Sequence, residues 1–199
     1  MPLTSRSGRV EPHSSMEAAM ASKAEIGGNG WRIARWTIPA GLLTVPLLAH
    51  FPWTGSDYVA MAILLFGSVA TYEAIAGSST SLAFRAAAAV AVATSFLLIW
   101  INLAAGIIGS ETNPLNLLYA GVIGAALIGA IVARFEASGM ARALVATAAV
   151  QALVGVVAVL AGRDQPPGLI GLIVVDGGFA ALWLLSAALF RRAARDLAG

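Results

Sequence analysis

The chain has 199 residues, 59% hydrophobic and 11% charged, with a net charge of +2. A soluble domain carries about 25% charged residues, so this balance points to lipid as the solvent. The basic residues are dispersed at segment ends without interleaved aromatics, which excludes a nucleic-acid surface, and with no cysteine there is no disulfide framework, thiolate metal site or cysteine nucleophile.

Residues 1–30 are polar, rich in Ser, Gly and charge, and the Gly27-Gly28-Asn29-Gly30 run reads as a flexible linker. The region lacks the apolar core of a signal peptide and is expected to be a disordered cytoplasmic tail. Residues 31–192 are expected to form an all-α, polytopic bundle of six transmembrane helices, followed by a short cytoplasmic tail at 193–199. The spans fall near 33–52, 58–77, 84–108, 115–134, 142–162 and 168–190, each long enough to cross about 30 Å of hydrocarbon. Pro39 and Pro46 should kink the first. The loops at 53–57, 78–83, 109–114, 135–141 and 163–167 are too short for a soluble domain.

Charge placement sets the orientation. With both termini cytoplasmic, Arg6, Arg9, Lys23, Arg32, Arg35, Arg85, Arg134, Arg142, Arg191, Arg192 and Arg195 all lie inside, and Arg163 alone of the 12 basic residues lies outside. This matches the excess of Lys and Arg on cytoplasmic loops. Trp31, Trp36 and Tyr72 fall near the inner interface, and Trp53, Tyr58 and Tyr119 near the outer one. Arg85 to Pro114 loosely echoes Arg142 to Pro166, but Ala, Val and Gly produce such echoes by chance.

Between the third and fourth spans a polar turn carries Glu111, Thr112 and Asn113 before Pro114. Pro suits the first turn of a helix, and Asn113 is placed to cap it. In the fourth span Gly121, Ala125 and Gly129 recur at intervals of four, a face where another backbone can approach. An intramolecular partner is the economical expectation, with self-association or another membrane subunit as the alternative.

A charged residue within a span costs about 2.5–3.5 kcal/mol on insertion scales. Glu73 and Arg85 end and begin neighbouring spans on the same side, so an ion pair across that hairpin is expected, against a proton or cation site at Glu73. Asp176 lies about 12 Å into the sixth span, at 1.5 Å per residue from Gly168, with no basic residue at that depth. It reads either as a protonated acid bonded to Asn102 or Gln151, or as a proton or cation site lined by them. Asn102 shares a helix face with Ser95 and Gly106, and Gln151 with Thr147 and Gly155. Such residues ordinarily glue helices. The alternative is an outer-facing polar pocket of Asn102, Glu111, Asn113, Asn116, Gln151 and Asp176.

His50, Asp57, Glu111 and Asp164 have no ligand-like spacing, so no metal is expected, and no cofactor is indicated. H-E-x-x-H, G-x-S-x-G and phosphate-loop signatures are missing, and only His13 and His50 are available to a catalytic triad. No catalytic residue is assigned. The string from Trp100 to Asn116, W-x-N-L-A-x-G-I-I-G-S-E-x-N-P-x-N, resembles an uncharacterised group of small multi-pass bacterial inner-membrane proteins. The resemblance covers about residues 58–190 and implies that location without any activity. The functional expectation is a non-enzymatic accessory or scaffolding component with the lipid bilayer and other membrane subunits as partners. The alternative is a small proton- or cation-coupled transporter or channel.

Overall fold

The computed structural model describes residues 36–196, all helix, turn and loop. The expectations for 1–35 and 197–199 lie outside the described residues. The chain divides into a unit ending at Pro52 and a unit beginning at Trp53. The first contains α1, Trp36–Leu48. Helical structure continues through Pro46, and the end is closed by a left-handed residue, His50 at φ 51. The N–H groups of Phe51 and His50 return to the carbonyls of Pro46 at 2.9 Å and Leu47 at 3.2 Å, a paired C-terminal cap.

Among its described residues the second unit holds five helices long and apolar enough to cross a membrane: α2 (Gly55–Ala76), α3 (Leu82–Ala104), α4 (Leu118–Val132), α5 (Ala137–Gly162) and α6 (Gly168–Asp196). A 3-10 turn over Pro114–Leu117 leads directly into α4 and completes its crossing length. Short polar side chains set several starts. At α2, Asp57 accepts the Thr54 N–H at 2.7 Å while the Thr54 hydroxyl accepts the Asp57 N–H, a reciprocal cap that satisfies two free donors. Ser81 caps α3 through the Phe84 N–H. Asn113 accepts the Leu115 N–H at 3.0 Å with Pro114 behind it, as expected from that turn.

Packing runs from α2 onto α3, from α3 onto α6, from α6 onto α5 and from α5 onto α4; α3 and α4 close the ring with a much lighter contact. The core is filled by Trp183, Tyr119, Phe190, Leu98, Ile108 and Leu172, with Phe84 edge-on to Phe190 at 5.0 Å. Between these large residues the helices meet on Ala87, Ala88, Ala141, Ala158 and Ala187, all essentially buried. Small residues let helix axes approach closely, the means of association where lipid removes any hydrophobic drive between helices. Outward the helices present Leu127, Ile131, Leu153, Leu160, Ile170 and Val174. These are ordinary core residue types, exposed in rows that suit acyl chains.

Two boundaries differ instructively from the hydropathy reading. The third span was expected to run to 108, yet α3 stops at Ala104. Ile107 and Ile108 sustain the apolar signal as a buried loop. The sixth span was expected to end at 190, whereas α6 runs to Asp196 and carries Arg191, Arg192 and Arg195 out of the apolar zone. Basic residues there favour the negative end of the helix dipole.

Candidate functional site

After α3, Gly106 and Gly109 take positive φ of 69° and 74°. A Cβ at Gly106 would strike the Ser110 backbone, and one at Gly109 the Gln165 side chain. Only glycine fits both the conformation and the space. The fold-back turns Ile107 and Ile108 inward, where their N–H groups meet the Asn116 Oδ1 at 3.1 and 2.9 Å. Asn116 Nδ2 donates to the Ser110 carbonyl at 2.7 Å and to that of Ile108 at 3.4 Å. Asn116 is thus wholly spent on ordering the loop. Beside it, Asn113 Nδ2 donates to Gln165 Oε1 at 3.1 Å, and the Gly109 N–H donates to the Pro166 carbonyl at 2.8 Å. The α3–α4 and α5–α6 connections are therefore fastened together at one end of the bundle.

Deeper in, Asp176 is buried on α6. Tyr119 Oη donates to its carboxylate, 3.1 Å from each oxygen, and Gln151 Nε2 donates to Oδ1 at 2.8 Å. Gly155 makes this seating possible, because a Cβ there would lie 2.8 Å from the Asp176 Cβ. One helix each thus supplies the acid, the amide and the hydroxyl. Gln151 was expected as a partner of Asp176 and is one. Asn102 was the other candidate, and it makes no hydrogen bond to Asp176; its Nδ2 is buried without any partner. Gln151 Oε1 and Trp183 Nε1 are buried in the same condition.

Between α3 and α4, which touch only lightly, a cleft of about 440 Å³ opens. Asn102, Glu111, Thr112, Asn113, Asn116 and Tyr119 are its polar lining, alongside Leu98, Ile99, Leu103 and Ile123. Four of the six residues expected to share an outer pocket therefore line one cleft. Gln151 and Asp176 stand behind it, joined to it through Tyr119. A second opening, an apolar groove of about 320 Å³ between α5 and α6, is lined by Gly155, Val156, Leu160, Ile173, Asp176 and Gly177 among others.

Other expected groupings come together less well. Glu73 and Arg85 are half-buried at the facing ends of α2 and α3, and no ion pair joins them. Among the described residues the ion pair present is Arg163 with Asp164 at 3.9 Å, on the surface. Ile75, Ala76 and Phe84 are buried at that hairpin. Of the small-residue face on α4, Gly129 packs against Ala143 of α5, Ala125 is half-buried, and Gly121 faces open space. The face packs within the chain at its Gly129 end and opens toward Gly121.

Tyr119 was expected at the outer interface, but it is 2% exposed and points into the bundle. The available signal was its spacing of three from Asn116, which puts both on one helix face. Ser186, which donates to the Ala87 carbonyl at 2.8 Å and ties α6 to α3, had no comparable signal. Chemically, the centre is a carboxyl group held by a hydroxyl and a primary amide in apolar surroundings. Such a set can glue helices or bind a proton. Comparison with protein-family models, curated proteins and solved structures yields no match.

Proposed function

We propose that this protein is a non-enzymatic integral membrane protein of the accessory or scaffolding kind, spanning a bacterial inner membrane six times with both termini cytoplasmic. The observation carrying the functional part is how its polar residues are used. Asn116 is consumed by the loop it orders, Asn113 is bonded to Gln165, and Gln151 and Tyr119 each donate to Asp176. These bonds hold helices and loops to one another, the usual employment of polar groups in a membrane bundle. The large residues on the outside of the helices suit lipid or further membrane subunits. The resemblance in the Trp100–Asn116 stretch agrees with the location.

The cleft between α3 and α4 favours a second reading, a small proton- or cation-coupled carrier. Its wall includes Tyr119, whose hydroxyl is bonded to Asp176, the one buried acid among the described residues. Reconstitution separates the two. Purified wild type and Asp176→Asn are placed in liposomes, proton and cation fluxes are followed under imposed gradients, and thermal stability is measured in parallel. The scaffold reading expects no protein-dependent flux in either. Flux in the wild type, lost in Asp176→Asn with stability retained, overturns it in favour of the carrier.

A further inference from the structure

Asp176 lies at a meeting point that bonding between helices alone does not require. On one side, its carboxylate takes the hydroxyl of Tyr119, a residue that lines the α3–α4 cleft. On the other, Asp176 and the Cβ-less Gly155 that it crosses line the groove between α5 and α6. That groove has an almost wholly apolar wall and is flanked by Val156, Leu160 and Ile173, which are exposed on the outside of the bundle.

The partners of the acid are also reversible. A hydroxyl can donate or accept, and a primary amide presents either its NH₂ or its oxygen by rotation about its last torsion. Gln151 Nε2 donates to the carboxylate, while Gln151 Oε1 is buried with no partner. Rotating that amide turns an acceptor toward a carboxylic O–H. The same three side chains therefore satisfy Asp176 with or without its proton. A neighbouring cation would instead fix it in the charged form, and among the described residues none faces it: α4 carries no charged residue, while α3 and α5 carry only Arg85 and Arg142, near their far ends. On α6 the nearest charge is Arg191. Tyr119 is the one other titratable group at the site.

We propose that Asp176 is a membrane-embedded proton-loading site whose carboxyl group is open to the lipid phase through the groove between α5 and α6. The proposal goes beyond the accessory reading and does not need net transport; a protein that loads a proton and conducts none satisfies it.

The test uses the full-length protein in liposomes and dicyclohexylcarbodiimide, an apolar reagent that attacks protonated acids. The carboxyl proton passes to one carbodiimide nitrogen, and a carboxyl oxygen bonds to the central carbon. The O-acylisourea so formed rearranges to a stable N-acylurea; nothing leaves, so the peptide gains the mass of one reagent molecule. Peptide mapping of α6 after labelling over a pH series reads the site, and a water-soluble carbodiimide is the comparison. The expected result is an adduct on Asp176 from the apolar reagent, declining as pH rises, with at least about tenfold less from the water-soluble one. A carboxylic C=O infrared band, absent in Asp176→Asn, should follow the same pH profile. Tyr119→Phe and Gln151→Leu should displace its midpoint, since each removes a bond that differs between the two protonation states. No adduct on natively folded wild type, an adduct independent of pH, or equal labelling by the water-soluble reagent each overturns the proposal. None of these measurements reads flux, so their failure is distinct from that of the functional reading above.

Discussion

Asn102 and Asn116 are chemically identical and lie in the same short stretch, yet they have opposite consequences for the fold. Asn116 satisfies two buried N–H groups and two carbonyls of the loop after α3. A buried donor left without a partner costs about 1–3 kcal/mol. Asn116→Ala, which strands the N–H groups of Ile107 and Ile108, should therefore cost at least about 2 kcal/mol in reversible unfolding from mixed micelles. Asn102 has a buried nitrogen with no partner at all, so Asn102→Leu should be neutral or stabilising by up to about 1 kcal/mol in the same assay. A loss above about 2 kcal/mol for Asn102→Leu would show that its amide is engaged. The sequence marks both residues as polar groups in an apolar setting. Which one is already spent depends on the backbone between them, where Gly106 and Gly109 reverse direction. Gly155 belongs to the same scale: Gly155→Val pushes into the Asp176 Cβ and should cost about 1–3 kcal/mol by overpacking, with loss of the Tyr119–Asp176 bond visible in the tyrosine ultraviolet resonance Raman spectrum.

Helices and loops obey a different economy. Hydropathy locates α2 through α6 because each must be apolar along its length to face lipid. It misplaces the end of α3 because a buried loop is as apolar as a helix, and only hydrogen bonding tells them apart. The α5–α6 connection shows the converse: Gln165 reads as an ordinary polar loop residue, and its role appears only when the two loops meet. Its bond to Asn113 is largely exposed, so Gln165→Ala should cost only about 0.5–1.5 kcal/mol. Combined with Asn113→Ala, it should lose less than the sum of the two single changes, since both remove the same bond. The α2–α3 hairpin should behave oppositely. With no ion pair joining Glu73 to Arg85, the costs of Glu73→Gln and Arg85→Ala should add to within about 0.5 kcal/mol in a double-mutant cycle. A coupling above about 1 kcal/mol would restore the hairpin pair.

At the scale of the molecule, the bond between Asn113 and Gln165 fixes one fact about topology: the α3–α4 and α5–α6 connections lie at the same end of the bundle. The start of α2 belongs at that end too, because α2 and α3 form one hairpin and each long helix reverses the chain. The opposite end then gathers Arg85, Arg134, Arg142 and the basic terminus of α6, the end that the orientation proposed above on the positive-inside rule assigns to the cytoplasm. Whether the chain crosses once more before Pro52 is a separate matter. The described part of α1 is 13 residues, about 20 Å at 1.5 Å per residue, against about 30 Å of hydrocarbon; residues ahead of Trp36 would have to supply the rest. Because the chain has no native cysteine, single cysteines report without background. Ser56→Cys, Thr112→Cys and Asp164→Cys should react with an impermeant maleimide added to intact spheroplasts, and Glu136→Cys only after permeabilisation. Six spans require Ser7→Cys in the tail to behave like Glu136→Cys. If instead it reacts in intact spheroplasts while the other four behave as expected, α1 does not cross and the protein has five spans with its N-terminus outside. Labelling of Thr112→Cys and Asp164→Cys from opposite sides would go further, because no membrane crossing is compatible with the Asn113–Gln165 bond in that case.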